Sequence, residues 1–390
     1  MPRDPSLASN LFTACVPRPD QFFADGLTYL GSHATAAARI LGKDLREACA
    51  TLGGCRRQTR VAPLPQRSVG DAPRMTDPWH GQAGVGAVRA VEGPSGLPAE
   101  WVDDIEAYGA TLHAAGGLTP PPETAAAYER LRLRDAFPQM HSLVKSDPIP
   151  LLPQAVLNSS LVTPATDSDE VPRALFDPLS GFVAGISLRA PARGDKTHAG
   201  EVIISFSGMG SRGATLGQGI RCFLNVLGLT PPKNFQQAAK LTRMVHAHLH
   251  QLNQVRVQLG LPLFRLTVCG HSMGGALATF AALRLPPASV DAFPVKTVAI
   301  NPLRLGLLCR ARIGREAMQQ AEDRVTAVTV QGDWVARWTT LHSAPIGKGY
   351  VIPVAPCSTV RSRHNHFVEA AREYRDEVGW EHDRALRKHG

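Results

Sequence analysis

The pattern of hydrophobic and polar positions changes near residue 180 of the chain. From there on, short apolar runs alternate with longer stretches in which apolar residues recur at helical spacing. The predicted strands are Phe182–Leu188, Glu201–Phe206, Phe264–Cys269, Val295–Ile300, Arg324–Val330 and Gly349–Val354. Helices are predicted at Phe235–Leu259, directly after Ser272, and near Arg315–Ala321. Strands that alternate with helices predict an α/β fold with a mostly parallel sheet and helices on both faces.

The first third of the chain has a different pattern. Helices are predicted at Leu27–Leu52, Ala99–Ala115 and Glu123–Ala136. Residues 56–98 are rich in Gly, Pro and Arg, which is typical of a linker or a disordered segment. We therefore predict a variable, partly disordered N-terminal region at 1–120 and one α/β domain at 121–390.

Composition and charge narrow the classes of partner. Of the 390 residues, 44% are hydrophobic and 19% are charged, which fits a globular protein with a sizeable core. The formal net charge of +9 favours an anionic partner, either a nucleic acid or an acidic membrane surface. The sequence contains neither a basic patch interleaved with aromatic residues nor a zinc-finger spacing, so we expect the membrane surface and no nucleic acid. The oligomeric state is left open.

Cysteine usage and targeting signals indicate the cellular compartment in which the protein resides. The seven cysteines are scattered and contain no CxxC pair, which argues against a disulfide framework or a zinc site. We find no signal peptide at the N-terminus. The apolar stretch Leu266–Leu285 includes His271, Ser272 and a glycine pair, so it predicts a buried strand, a turn and a buried helix rather than a membrane span. The protein is expected to be cytoplasmic or exported by a specialised secretion system.

A Gly-x-Ser-x-Gly motif lies between a predicted strand and a predicted helix. It runs from Gly270 through Ser272 to Gly274. In this context the motif forms a strained turn that raises the serine hydroxyl above the sheet and directs the helix N-terminus at a developing oxyanion. The turn requires glycines because side chains two positions from the serine would clash. The motif predicts that Ser272 is a nucleophile; the alternative is a tight turn with a buried structural serine.

The chain resembles the class 3 lipases, the fungal-lipase-like members of the α/β-hydrolase fold. Val268–Ala278 is similar to their nucleophile segment and Val202–Met209 to their oxyanion strand. Ala299–Gly306 and Val328–Arg337 resemble two later segments of the family, in the same order. The resemblance covers about residues 180–375. It implies an α/β-hydrolase catalytic domain that cleaves acyl esters of lipids, as a lipase or a phospholipase A, through an acyl-serine intermediate and without a metal or organic cofactor.

The oxyanion strand departs from the family pattern. Ser207 and Met209 replace the usual Arg and Thr of the family. Met209 offers only its backbone N–H, so the resemblance implies an oxyanion hole made of the backbone N–H groups of Met209 and Met273. Loss of one donor can cost about 3 kcal/mol of transition-state stabilisation. A slow enzyme is therefore expected.

A serine nucleophile needs a histidine to take its proton and a carboxylate to orient that histidine. In this fold the chain order is serine, acid, histidine. Asp333 directly follows a predicted strand and is the candidate acid. His366, followed by an apolar pair as in the family, is the preferred base, and His364 is the alternative base. His342 comes too soon after Asp333 to serve.

Two helical segments carry open alternatives. Ile220, Phe223, Leu224 and Leu227 lie at helical spacing where the family has its lid, so they predict either a mobile lid or a fixed helix packed on the sheet. His246, His248 and His250 are predicted to lie on a solvated face of the long helix rather than in a metal site. For the whole chain, the alternatives to a lipid ester hydrolase are an inactive α/β-hydrolase that acts as a binding module and a carboxylesterase for soluble esters.

Overall fold

The computed structural model describes residues 99–116, 122–143, 148–163, 172–208, 233–333, 346–352, 354 and 367–374. All of them belong to the larger of two compact units, Val69–Gly390. The smaller unit, Met1–Ser68, lies outside the described residues, and so do the predicted helix Leu27–Leu52 and the predicted linker 56–98.

Helices and strands alternate through most of the described chain. The helices are α1 (Ala99–Gly116), α2 (Pro122–Arg130), α3 (Gln154–Leu157), α4 (Lys233–Gln258), α5 (Met273–Leu283), α6 (Pro287–Ala292), α7 (Leu307–Ile313), α8 (Arg315–Gln319), α9 (Ala321–Arg324) and α10 (residues 367–374). The strands are β1 (Leu133–Asp135), β2 (Met140–Ser142), β3 (Pro148–Pro150), β4 (Ala174–Asp177), β5 (Phe182–Arg189), β6 (His198–Phe206), β7 (Leu263–His271), β8 (Val295–Ile300), β9 (Thr326–Val330) and β10 (Lys348–Ile352).

Eight of these strands form one sheet in the order β1-β5-β6-β7-β8-β9-β10, with β4 also paired to β5. The strands from β6 to β10 are parallel, whereas β1, β4 and β5 are antiparallel additions at one side. Strands β2 and β3 form a separate antiparallel pair. The predicted fold class, an α/β-hydrolase with a mostly parallel sheet, is confirmed.

The order of the parallel strands decides which helices cover each face of the sheet. Consecutive strands are neighbours, so right-handed crossovers place their connecting helices on one face. Phe235 and Leu249 of α4 and Phe280 of α5 pack together in the core on that face. The opposite face is covered by elements from outside the crossovers: Ile105 of α1 and Phe367 of α10 belong to a second core cluster.

Helix α1 precedes the predicted domain boundary at residue 120 and nevertheless packs against the sheet. Its residue Tyr108 is fully buried and donates a hydrogen bond to Glu201 of β6. Glu106, 2% exposed, forms salt bridges with Arg130 of α2 and Arg372 of α10. These contacts join α1 to the sheet, to α2 and to α10. The division at residue 120 stays a prediction.

The predicted helix Glu123–Ala136 is wrong in its second half. Helix α2 ends at Arg130, Arg132 has a φ of 56°, and Leu133–Asp135 pairs antiparallel with β5. The backbone groups on that side of β5 need partners, and the ladder with β1 satisfies them. This tertiary requirement outweighs the helical spacing of the side chains.

None of the described helices is both long and apolar enough to cross a membrane. The apolar stretch Leu266–Leu285 divides into the end of β7, a turn at Ser272 and helix α5, as the sequence predicts.

Candidate active site

The turn between β7 and α5, here called the elbow, holds Ser272 in a strained conformation. Ser272 has φ 56° and ψ −121°, a region that residues other than glycine rarely adopt and that costs about 1–3 kcal/mol. Its N–H donates to the carbonyl of Ile300 at 3.0 Å, and its carbonyl accepts from the N–H of Leu303 at 3.0 Å. These bonds to the end of β8 and to the segment after it hold the turn in place.

Two glycines make this turn possible because neighbouring backbone occupies the space of a side chain. A Cβ atom on Gly270 would overlap the carbonyl oxygen of Gly274. A Cβ atom on Gly274 would overlap the carbonyl oxygen of Phe206, at the end of β6. The spacing of the motif therefore follows from close backbone approach on both sides of Ser272.

Gly274→Ala is expected to destabilise the fold by roughly 1–3 kcal/mol or more, because the added methyl group meets backbone that cannot move aside. The thermal midpoint should fall by about 2–4 °C for each kcal/mol lost. The matched control is Gly349→Ala in β10, where no atom lies within 4 Å of the added Cβ. Differential scanning calorimetry of both variants checks this; equal midpoints would contradict the steric account of the motif.

The end of β6 lies directly against the elbow. A Cβ atom on Gly208 would lie 3.1 Å from the carbonyl oxygen of His271 and 3.4 Å from the Cβ of Ser272. Met273, 2% exposed, begins α5, so its backbone N–H has no partner inside the helix. Met209 lies outside the described residues. The two-donor oxyanion hole of Met209 and Met273 therefore stays a prediction.

Asp333 lies at the same edge of the sheet as Ser272. The register pairs His271 of β7 with Ile300 of β8 and Ile300 with Val328 of β9. Asp333 follows the carboxyl end of β9, is 2% exposed, and donates its backbone N–H to the carbonyl of Val330 at 3.0 Å. One strand, β8, separates β7, which leads to Ser272, from β9, which leads to the candidate acid.

Asn301 contributes to the site, and the sequence analysis assigned it no role. It is fully buried after β8 and has a φ of 42°. Its N–H donates to the carbonyl of Val328 at 2.8 Å, and its Oδ1 accepts from the N–H of Val330 at 2.8 Å. Asn301 thus fixes the end of β9, from which Asp333 projects. The available signal was a polar residue at the end of an apolar strand.

The candidate bases His366 and His364 lie outside the described residues, as do His342 and the four apolar residues of the predicted lid. The adjoining helix is described. Phe367, the first residue of α10, stacks on His271 with ring centroids 5.1 Å apart and an interplanar angle of 26°. Because His271 adjoins Ser272, this stack brings the start of α10 to the elbow. His366 directly precedes Phe367, and its assignment as base stays a prediction.

A cysteine lies in β7 close to the elbow. Cys269 is fully buried, and its Sγ lies 3.3 Å from Ser205 Oγ. Burial raises the pKa of the Cys269 thiol to about 12, so the thiol remains protonated at neutral pH. A buried thiol in this state is a poor nucleophile, so Ser272 stays the candidate nucleophile of this turn.

The prediction of a solvated histidine face on α4 is wrong for His246. This residue is 3% exposed, and its Nε2 lies 2.9 Å from the carbonyl oxygen of Phe293. His248 Nε2 lies 2.9 Å from the carbonyl oxygen of Pro150. These rings are held by backbone carbonyls of neighbouring elements, a packing role that helical spacing alone does not reveal.

One family model matches the chain. The model described as Lipase (class 3) matches residues 226–342, which include Ser272 and Asp333 but neither Met209 nor His366. A search among the curated proteins found no match.

Solved structures of several lipases are similar to the chain. The native propeptide complex of Rhizomucor miehei lipase is 15% identical over 66% of this chain and 70% of that chain, with a TM-score of 0.36. A triacylglycerol lipase from Penicillium expansum is 14% identical over 50% and 70%, with a TM-score of 0.29. An extracellular lipase from Serratia marcescens is 16% identical over 63% and 41%, with a TM-score of 0.31.

Proposed function

We propose that this chain is a lipase-type ester hydrolase that cleaves acyl esters of lipids through an acyl-enzyme on Ser272, because the Lipase (class 3) model matches residues 226–342. The observation that carries the proposal is the strained serine between β7 and α5, at the carboxyl edge of a parallel sheet. In α/β sheets, functional groups collect at that edge.

The proposed reaction has two halves. Ser272 Oγ attacks the ester carbonyl carbon while its proton passes to His366, whose ring is oriented by Asp333. The backbone N–H groups of Met209 and Met273 receive the negative charge that forms on the carbonyl oxygen. The intermediate collapses, and the departing alcohol takes the proton from the histidine. Water then attacks the acyl-serine in the same way and releases a carboxylic acid.

Three features of the described residues support Ser272, Asp333 and His366 as the catalytic residues. Ser272 and Asp333 follow parallel strands that lie two places apart at one edge of the sheet. Asn301 fixes the end of the strand that leads to Asp333. The stack of Phe367 on His271 brings the start of α10 to the elbow, and His366 directly precedes Phe367 in the sequence.

For the substrate class we propose esters presented at a lipid surface, with glycerophospholipids favoured over acylglycerols. The formal net charge of +9 favours anionic bilayers. The predicted lid, with Ile220, Phe223, Leu224 and Leu227 on one helical face, supplies apolar area that can insert into a bilayer once the lid turns. Both contributions act together only at a membrane.

Initial rates are expected to be higher on anionic than on zwitterionic phospholipid vesicles, and the difference should shrink as salt is added. Each Lys or Arg near an anionic surface contributes about 1 kcal/mol of attraction, screened within a Debye length of roughly 8–10 Å. A short-chain soluble ester, measured in parallel, should show little salt dependence. Mass spectrometry of the products from a panel of phospholipids and acylglycerols identifies the bond that is cleaved.

Phe223→Ser tests the contribution of the lid to the rate on vesicles apart from that of the charge, since it removes apolar area and keeps the net charge. It should lower the rate on vesicles and leave the rate on the soluble ester unchanged. Equal rates on anionic and zwitterionic vesicles would remove the charge argument. An unchanged vesicle rate in Phe223→Ser would contradict the proposed role of the lid and favour a carboxylesterase for soluble esters.

A further inference from the structure

Helix α1 crosses α10 at a glycine. Gly109 lies in the interior of α1, and a Cβ atom there would lie 2.5 Å from Val368 Cγ2 and 3.5 Å from Phe367 Cε2 of α10. Glycine in the interior of a helix is unfavourable relative to alanine. Its presence here is explained by the close approach of the two helices, because no larger residue fits unless α10 moves.

A buried ion pair joins the same two helices one turn further along. Glu106 and Gly109 are three residues apart, so they lie on the same side of α1. The Glu106 carboxylate is 2% exposed; its Oε1 accepts a hydrogen bond from Arg372 Nε and its Oε2 accepts one from Arg130 Nη2. Arg372 lies one turn after Val368 on α10. The helices are therefore joined at two successive turns, by close packing at Gly109 and by charge at Glu106.

The contacts continue from α10 to the elbow. The ring of Phe367, which lies beside Gly109, also stacks on the ring of His271 at the end of β7, with centroids 5.1 Å apart. Phe367 is 3% exposed, so its ring has little room to move. His271 directly precedes Ser272, whose backbone is strained. A series of packed side chains therefore leads from α1 through Phe367 to the turn that carries the candidate nucleophile.

We propose that α1 is a positioning element of the catalytic site, in which Glu106 and Gly109 hold the start of α10 against the elbow. This inference rests on the proposed function. Neither residue touches the reacting atoms; both act through Phe367 and His271 on the geometry of Ser272. The catalytic unit then includes α1, which precedes the predicted domain boundary at residue 120.

Gly109→Ala in the full chain is the first test, and Gly185→Ala is its matched control. Both variants add one methyl group against α1, since a Cβ atom on Gly185 of β5 would lie 2.8 Å from Ala115 Cβ, at the C-terminal end of α1. Both should lower the thermal midpoint, because a well-packed core does not accept extra methyl groups. Only Gly109→Ala should lower kcat on a soluble chromogenic ester, by roughly ten- to hundredfold and with little change in KM, because a displacement of about 1 Å at a catalytic site has effects of this size.

Val368→Ala in the Gly109→Ala background tests whether the loss comes from this contact. A valine in a helix is restricted to one side-chain rotamer, so Val368 cannot rotate away from the added methyl group. Its truncation removes the atom that the new Cβ would meet and lets α10 return to its place. The double variant should recover most of the lost kcat relative to Val368→Ala alone, as coupling between residues in contact requires.

Arg372→Gln and Arg130→Gln test the ion pair, and they decide the question even if Gly109→Ala does not fold. The two side chains are 31% and 51% exposed, so both variants should fold. Each variant leaves Glu106 with one arginine and should lower the thermal midpoint. Only Arg372→Gln should lower kcat severalfold, because Arg372 belongs to α10 whereas Arg130 belongs to α2.

Hydrogen exchange followed by mass spectrometry separates this inference from the proposed function, because it does not depend on turnover. The amides of residues 270–276 should exchange faster in Gly109→Ala than in Gly185→Ala or wild type, since the elbow loses a packing partner. A wild-type protein that hydrolyses no ester would contradict the proposed function, and the exchange rates would still decide whether α1 holds the elbow.

Loss of kcat and of elbow protection in Gly109→Ala but not in Gly185→Ala, with recovery by Val368→Ala, supports the inference. Equal kcat or equal elbow exchange in the two glycine variants, no recovery in the double variant, or equal kcat in Arg372→Gln and Arg130→Gln would overturn it.

Discussion

Ser272→Ala is expected to abolish ester hydrolysis, with a loss in kcat on the order of a millionfold, as in other enzymes that lose a triad serine. Without the hydroxyl no acyl-enzyme forms, and the remaining contacts bind substrate without supplying a nucleophile. The thermal midpoint should stay close to that of wild type, because the bonds that hold the turn come from the backbone of Ser272 rather than from its side chain. Steady-state kinetics and calorimetry on the same preparations measure both effects.

Active-site labelling provides an independent measurement of the same prediction. A fluorophosphonate probe should modify Ser272 in wild type and no serine in Ser272→Ala. Ser289→Ala, which removes a half-buried serine from α6, is the matched control and should retain both labelling and activity. Labelling of a different serine, or full activity in Ser272→Ala, would end the proposal. Labelling of Ser272 without turnover of any ester would favour the binding module.

Asp333→Asn and His366→Ala should each lower kcat by several orders of magnitude, roughly 10⁴-fold or more. Without the histidine, no group takes the proton of Ser272. With an amide in place of the carboxylate, the histidine adopts the wrong tautomer. Since all three residues act as a unit, the double variant should be scarcely slower than the worse of the single variants. Single-turnover kinetics on a chromogenic ester give the rate of acylation for each.

Two variants serve as controls for the triad. Asp323 lies in α9, which precedes β9, so it is at the amino end of that strand and away from Ser272. The kcat of Asp323→Asn should therefore be unchanged. His364→Ala should retain far more activity than His366→Ala. If His364→Ala is instead the inactive variant, the base is reassigned and the mechanism stands. If Asp333→Asn and His366→Ala both keep the full rate, the triad is wrong.

The sequence alone determined the features that depend on local spacing. Apolar runs of strand length predicted the strands from β5 to β10, since strands in the middle of a parallel sheet are covered on both faces and are therefore mostly apolar. The glycines at 270 and 274 predicted the elbow, because the close approach of neighbouring backbone excludes every larger residue there. The order of Ser272 and Asp333 along the chain predicted that both follow parallel strands of one sheet.

The tertiary structure decided what depends on contacts between distant segments. Leu133–Asp135 became a strand because one side of β5 offered unpaired backbone groups, and α1 became part of the core because the crossovers leave one face of the sheet uncovered. Asn301 acquired its role from its contact with β9. Hydrophobic spacing records which side of an element is buried, but it carries no information on which distant backbone group or charge lies opposite. For that reason the sequence predicted the nucleophile turn and the structure was needed for its surroundings.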